Sequence, residues 1–191
     1  MSAESILRLT VQTLVDLEIP YMVTGSLASA FHGEPRSTQD LHVVVTARED
    51  HLQKLGERLR DAGLYCDSEA IREAAELKGL FNAIDPGTGW KVDFIILKDQ
   101  AFSRAAFEAR TAVELSGVAV HLVGADDIVI AKLEWAKLGG SERQLRDVIG
   151  VLMVQGAALD RAYIERWVTE LDLSDQWSQV LDLERAEKES A

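Results

Sequence analysis

Three side chains able to bind a cation stand in or beside two apolar runs of the sequence. Asp40 and His42 lie at the start of the run 41–46, and Asp93 lies within the run 91–97. Side chains two positions apart in a β-strand point to the same face, so Asp40 and His42 are expected to lie together. If the two runs form neighbouring strands, all three side chains are expected to converge on one metal-sized point.

Two carboxylates and an imidazole at one point predict a divalent-metal site. Mg²⁺ prefers carboxylate and phosphate oxygens, whereas an imidazole nitrogen is acceptable to Mn²⁺, Co²⁺ or Zn²⁺. Such an ion would bind phosphate oxygens and neutralise charge on a transferred group. A further carboxylate could then act as the base toward an attacking hydroxyl.

Each of these three residues also has a structural interpretation. Asp40 can cap the loop before the strand, and His42 can be a strand-edge histidine with its hydrogen bonds satisfied. A structural role suits Asp93 less well, because a carboxylate inside an apolar run is costly to bury unpaired. Asp93 needs a cation, a metal ion or an exposed strand end.

A second group of candidates lies at a strand-to-helix turn and in the loop after that helix. Gly25 and Ser26 follow the apolar run 21–24 and open a helical segment. The free N–H groups and dipole of a helix start bind phosphate, although this dipeptide equally fits a plain turn and N-cap. Arg36 either clamps phosphate oxygens with its guanidinium fork or is a solvated loop residue.

Apolar periodicity predicts the elements that position these residues. Helical spacing indicates helices, and short apolar runs bounded by turn residues indicate strands. Val43, Val44 and Val45 are typical of a strand buried on both faces, so this strand is expected to be central in a sheet. The expected elements are a helix at 6–17, a strand at 21–24, a helix at 25–32, a strand at 41–46, a helix at 48–62, hairpins of 79–84 with 91–97 and of 112–115 with 118–122, and helices from 125 onward.

The boundary between two of the later helices carries its own signals. Gly139 and Gly140 are expected to end one helix. Ser141, followed three residues later by Gln144, is typical of a capping box that opens the next.

The predicted fold class is α/β (α+β), a mixed β-sheet with flanking helices and a helical C-terminal part. The predicted division is 1–124 for the α/β core, 125–185 for the helical part and 186–191 for a flexible tail.

Composition and charge limit the class of partner. The 191 residues are 47% hydrophobic, with a single cysteine, Cys66, which excludes an internal disulfide. No apolar run approaches the roughly 18 residues that span a bilayer, so no membrane partner and a cytoplasmic location are expected. The net charge of -12 disfavours duplex DNA. A nucleotide bound through a divalent metal ion is compatible with that charge, because the ion reverses the local field.

Four stretches, in order along residues 21–150, resemble the motifs of minimal nucleotidyltransferases and of AbiEii-type toxin nucleotidyltransferases, which share the fold of the DNA polymerase β superfamily. The stretches are 24–42, with its Gly-Ser turn and the sequence Arg-Ser-Thr-Gln-Asp-Leu-His; 91–93, with Lys-Val-Asp; 126–133, with a lysine; and 146–148, with Arg-Asp.

The resemblance implies a nucleotidyltransferase-like fold, a nucleoside triphosphate as substrate, and Mg²⁺ or Mn²⁺ as cofactor. It implies an acceptor hydroxyl on RNA, a protein or a small molecule, and a toxin–antitoxin setting with an antitoxin or a second copy as partner. The residues that it marks are Asp40, Asp93, Lys132 and Asp147 as catalytic, Gly25, Ser26 and Arg36 as nucleotide-binding, and Asp40, His42 and Asp93 as metal-binding.

One position departs from the family pattern. The second Asp of the Asp-x-Asp pair falls on His42, and a neutral imidazole suits Mg²⁺ poorly. Two hypotheses therefore stay open: a metal-dependent nucleotidyltransferase, or a catalytically degenerate module that binds a nucleotide or a partner. Lys132 and Asp147 also have ordinary alternatives. Lys132 can be a surface lysine lying along apolar surface, and Asp147 can form an ion pair with Lys132 or with neighbours of Arg146.

Overall fold

The computed structural model describes the backbone of residues 1–190 and their side chains, except those at positions 188 and 190. The helices within this part of the chain are α1 (Ala3–Asp16), α2 (Gly25–His32), α3 (Glu49–Asp61), α4 (Ser68–Leu77), α5 (Ala101–Glu108), α6 (Ala125–Gly139), α7 (Glu142–Gln155), a 3₁₀ turn (Gly156–Ala158), α8 (Arg161–Glu170) and α9 (Ser174–Ser190). The strands are β1 (Tyr21–Thr24), β2 (Asp40–Val45), β3 (Tyr65–Cys66), β4 (Leu80–Ile84), β5 (Lys91–Ile96), β6 (Thr111–Leu115) and β7 (Val118–Leu122).

The strands form one mixed sheet in the order β3-β4-β5-β2-β1-β7-β6. β2 runs parallel to β5 and antiparallel to β1, and β1 runs parallel to β7. The two expected hairpins are confirmed as the antiparallel pairs β4–β5 and β6–β7. The predicted fold class, a mixed sheet with flanking helices, is therefore confirmed, and β2 is central as expected.

The expected burial of β2 on both faces needs correction. Leu41, Val43 and Val45 are buried, whereas the side chains at 40, 42 and 44 are only half-buried. The β-branched run therefore packs one face into the core, and the other face remains accessible to solvent. Asp40 and His42 lie on this second face, where polar side chains cost little to place.

The chain divides into two compact units, and the division does not follow the chain order. The sheet unit comprises Met1–Thr24 and Ser37–Val123, and the helical unit comprises Gly25–Arg36 and the chain from Gly124 onward. The predicted division at residues 124 and 125 remains a prediction. Residues 186–190 belong to α9, and residue 191 of the predicted tail lies outside the described residues.

The sheet unit is held together by aliphatic and aromatic packing. α1 contacts β7 and α3, and α4 contacts α3 and β4. Phe81 of β4 and Phe94 of β5 are paired in register and stack with ring centroids 5.0 Å apart. Both rings are fully buried, so they anchor the pair of strands that carries Asp93.

Close packing of α2 on α7 in the helical unit depends on glycine. A Cβ added at Gly33 would lie 2.6 Å from the backbone nitrogen of Val151 and 2.7 Å from the carbonyl carbon of Gly150. Backbone atoms cannot move aside as a flexible side chain can, so Gly33→Ala is expected to destabilise the fold by about 1–3 kcal/mol through overpacking. Urea unfolding measures the effect. Gly139→Ala is the matched control, because the added Cβ meets nothing there, and equal stability of the two variants would contradict the packing described.

The expected capping box at the start of α7 does not form. Ser141 is the N-cap residue, but its side chain accepts no capping hydrogen bond. The side chain of Gln144 instead accepts a hydrogen bond from Lys132 Nζ at 2.8 Å, so the reciprocal contact of the box is lost. The other boundary signal is confirmed, since α6 ends at Gly139 with Gly140 in the left-handed region.

In residues 1–190 no helix combines the length and apolar character needed to cross a membrane.

Candidate functional site

The first group of polar side chains lies on neighbouring strands of the sheet unit. The parallel register of β2 and β5 pairs Asp40 with Lys91 and His42 with Asp93. Residues two apart on a strand share a face, so these four side chains form two adjacent rows. β4 adds Asn82 opposite Asp93. We call these five residues the acidic cluster.

Asp93 is the centre of the acidic cluster. Asn82 donates a hydrogen bond of 2.5 Å to Asp93 Oδ1. The other oxygen, Oδ2, lies 3.0 Å from Lys91 Nζ and 3.3 Å from His42 Nε2. Lys91 Nζ also lies 3.7 Å from a carboxylate oxygen of Asp40, so one ammonium group serves both carboxylates.

Electrostatic interactions within the acidic cluster favour the charged forms of Asp93 and Lys91. Burial by itself would raise the pKa of Asp93, but hydrogen bonds from His42, Lys91 and Asn82 outweigh it and lower that pKa. Burial likewise acts to lower the pKa of Lys91, and its contacts with Asp93 and Asp40 raise it overall. The expectation that Asp93 needs a partner cation is met by Lys91.

The trio Asp40, His42 and Asp93, as arranged, does not fit a divalent metal ion bound by all three side chains. Asp93 already accepts from Asn82, His42 and Lys91, and the lysine ammonium lies within 4 Å of both carboxylates. Across the described residues, no three His, Cys, Asp or Glu side chains form a group suited to hold a metal ion. Asp40 differs from Asp93, because 48% of its side chain is exposed.

The second group of polar side chains lies in the helical unit. Gly25 opens α2 with φ +69°, a left-handed conformation that glycine adopts without steric cost. The side chains that follow converge from α2, the loop after it, α6 and α7. We call them the Asp147 network, and its members are Ser26, Ser29, Arg36, Lys132, Gln144 and Asp147.

Asp147 is bound from several sides. Arg36 makes a bidentate pair with it, with Nε 2.6 Å from Oδ1 and Nη2 2.8 Å from Oδ2. Lys132 Nζ donates to Oδ2 at 2.6 Å, and Ser29 Oγ donates to the same oxygen at 3.4 Å. Arg36 Nη2 also donates to Ser26 Oγ at 2.6 Å, so Asp147 fixes the start of α2 through Arg36.

Burial distinguishes this network from a surface ion pair. Lys132 is only 3% exposed, which overturns its interpretation as a surface lysine. Burial lowers the pKa of Lys132, although Asp147 opposes this effect. Burial would raise the pKa of Asp147, but the hydrogen bonds from Arg36 and Lys132 outweigh it and lower that pKa. The predicted ion pair between Lys132 and Asp147 is confirmed.

The structure thus gathers the predicted site residues into two groups, each within one unit. Asp40, His42 and Asp93 lie in the acidic cluster, and the other predicted side chains lie in the Asp147 network. Lys91 and Asn82 also belong to the acidic cluster, although no role is predicted for either from sequence. Lys91 stands two positions before Asp93 and so shares its strand face, which is the signal that could have found it.

No protein-family model matches the chain, and no curated protein matches its sequence. Solved structures do match its fold. An antigenic nucleotidyltransferase-like protein from Paracoccidioides brasiliensis is 18% identical, with a TM-score of 0.52 over 92% of this chain and 93% of that one.

Two solved structures that contain an antibiotic or its adenylylated form are similar in fold as well. ANT(2'')-Ia in complex with adenylyl-2''-tobramycin is 11% identical, with a TM-score of 0.56 over 92% of this chain and 97% of that one. A lincosamide antibiotic adenylyltransferase bound to lincomycin is 12% identical, with a TM-score of 0.51 over 81% and 98%. At these identities the likeness is one of fold. The chain has a nucleotidyltransferase-like fold.

Proposed function

We propose that the chain binds a nucleoside triphosphate, as its Mg²⁺ or Mn²⁺ complex, through Asp40, and that its nucleotidyl-transfer activity is reduced or lost. One observation carries the proposal. Asp40 and Asp93 lie two register positions apart on the parallel strands β2 and β5 of a nucleotidyltransferase-like sheet, but Asp93 is engaged by Lys91 and His42 stands beside it.

The exposure of Asp40 supports the binding half of the proposal. Mg²⁺ in nucleotide sites is commonly held by one or two carboxylates together with the phosphates of the substrate. Asp40 is half-exposed and can supply one such carboxylate. A bare triphosphate would be repelled by a chain of net charge -12, so binding is expected to require the metal ion that the nucleotide brings.

The environment of Asp93 supports the proposed reduction or loss of nucleotidyl transfer. This reaction depends on neutralising charge as it develops on the phosphate group, and a metal ion bound to carboxylate oxygens provides that neutralisation. His42 supplies a nitrogen instead of an anionic oxygen, and Asp93 is already hydrogen-bonded on both of its oxygens. Fewer carboxylate oxygens are therefore free to bind the metal ion that neutralises the charge of the transition state.

Thermal unfolding tests nucleotide binding. ATP with Mg²⁺, at about 100 times its dissociation constant, is expected to add roughly 2.7 kcal/mol to the free energy of unfolding. Asp40→Ala should abolish most of this gain, because the exposed carboxylate is lost. Asp61→Ala, at an exposed position on α3, is the control and should keep the gain. No shift in the unmodified protein with any of the four common ribonucleoside triphosphates at millimolar concentration would contradict the proposal.

A second candidate function is an active nucleotidyltransferase, and the retention of both Asp40 and Asp93 favours it. Two proteins of similar fold are named with tobramycin and lincomycin, which supports a small-molecule hydroxyl as acceptor over RNA or protein. Incubation with α-labelled triphosphates, Mg²⁺ or Mn²⁺ and mixed acceptors separates the candidates. Label transfer that disappears in Asp40→Ala would establish the enzyme, and its absence with both metals would favour the binding module.

Several finer assignments rest on the sequence resemblance alone. They are membership of the AbiEii-type branch and a toxin–antitoxin setting. A cytoplasmic location and phosphate binding by Gly25 and Ser26 remain expectations from composition and from the strand-to-helix turn. The bidentate contact with Asp147 favours a positioning role for Arg36 over a phosphate clamp. The same contacts leave Lys132 and Asp147 as positioning residues in the proposal, since each is bound within the network.

A further inference from the structure

Lys91 is anchored so that its ammonium group faces both carboxylates of the acidic cluster. Its backbone is held between β2 and β4, in register with Asp40 on one side and Ile84 on the other. Its backbone N–H also donates to the carbonyl of Gln39 at 3.0 Å. The side chain therefore starts from a fixed strand position.

We propose that Lys91 is the resident cation of the acidic cluster: its ammonium group takes the place in which a divalent ion would bridge Asp40 and Asp93, and so keeps such an ion off Asp93. The distances carry this inference, with Nζ at 3.0 Å from Asp93 and 3.7 Å from Asp40. The inference deepens the proposed function, on which it rests for the identity of the ligand.

Charge explains why the lysine and a second cation exclude one another. Two carboxylates face one ammonium group, so half of their negative charge is already neutralised and a further cation is attracted less strongly. A divalent ion bound to the same carboxylate oxygens would repel the ammonium group, because like charges at short range repel strongly near a protein surface. Asp93 would also have to release its hydrogen bond from Lys91. Metal ions alone are therefore expected to bind the protein weakly.

A titration with Mn²⁺ alone, followed by electron paramagnetic resonance, tests the inference. Lys91→Met removes the charge while keeping an unbranched side chain, and it is expected to tighten Mn²⁺ binding at least about tenfold. Lys91→Arg keeps the charge and should bind Mn²⁺ as weakly as the unmodified protein. Adding Asp93→Asn to Lys91→Met should remove the gain.

Two results would overturn the inference. One is Mn²⁺ binding by the unmodified protein as tight as that of Lys91→Met, and the other is an equal gain in Lys91→Arg. Circular dichroism checks the fold of each variant, and Lys91→Gln replaces Lys91→Met if the latter does not fold. The titration contains no nucleotide, so its outcome is independent of whether nucleoside triphosphates bind.

Discussion

Replacing His42 with aspartate is expected to give the acidic cluster a measurable affinity for Mg²⁺, more than about tenfold above that of the unmodified protein. The change sets three carboxylates against the one ammonium group of Lys91, and it exchanges a nitrogen ligand for the oxygen that Mg²⁺ prefers. His42 shares the accessible face of β2 with Asp40, so the new oxygen would face the same side. Calorimetric titration with Mg²⁺ measures the affinity.

The same variant is expected to raise Mg²⁺-dependent label transfer and to lower the relative preference for Zn²⁺, because one nitrogen ligand is lost. His51→Asp makes the same chemical change on α3 and serves as the control. If His42→Asp leaves both metal and nucleotide affinity unchanged, residue 42 does not contribute to the site. The assignment of Asp40 and Asp93 as its companions would then be wrong as well.

Asp147→Ala is expected to destabilise the helical unit strongly, by about 3–5 kcal/mol of unfolding free energy. The substitution leaves the buried ammonium group of Lys132 without its carboxylate and frees Arg36 from its bidentate pair. A buried, uncompensated charge accounts for most of the cost. Urea unfolding, monitored by circular dichroism, measures it.

Two further variants make that experiment specific. Asp182→Ala breaks a pair whose partners are both 70% exposed, and its stability should stay close to that of the unmodified protein. Adding Lys132→Met to Asp147→Leu removes both buried charges, so this double variant should be more stable than Asp147→Ala. Equal stability of Asp147→Ala and Asp182→Ala would show that the network does not hold the unit together.

The elements that carry Asp40, His42 and Asp93 could be predicted from sequence because each has a strong local signal. The β-branched run of β2 and the turn residues between β4 and β5 are read directly from residue types. By contrast β3, with two residues, is too short for any period to be visible, and it exists only through pairing with β4. α4 does carry a local signal that the predicted elements leave out, since Asp67 caps its first turn and Ile71 and Ala74 are buried at helical spacing.

The geometry of the two polar groups could be predicted only in part. Strand alternation places Asp40 with His42, but the pairing of His42 with Asp93 depends on the register of β2 on β5, which local sequence does not encode. Lys132 illustrates the same limit. Its partner lies 15 positions further along the chain, and only the packing of α6 on α7 turns an apparently surface lysine into a buried one.

Nucleotide affinity, measured by isothermal titration calorimetry, tests the central claim most directly. ATP is expected to bind the unmodified protein in the presence of Mg²⁺, to lose measurable binding in EDTA, and to bind Asp40→Asn at least about tenfold more weakly. Asp61→Asn should match the unmodified protein. The account would be contradicted if millimolar ATP with Mg²⁺ gives no binding heat, or if Asp40→Asn binds ATP as tightly as the unmodified protein does.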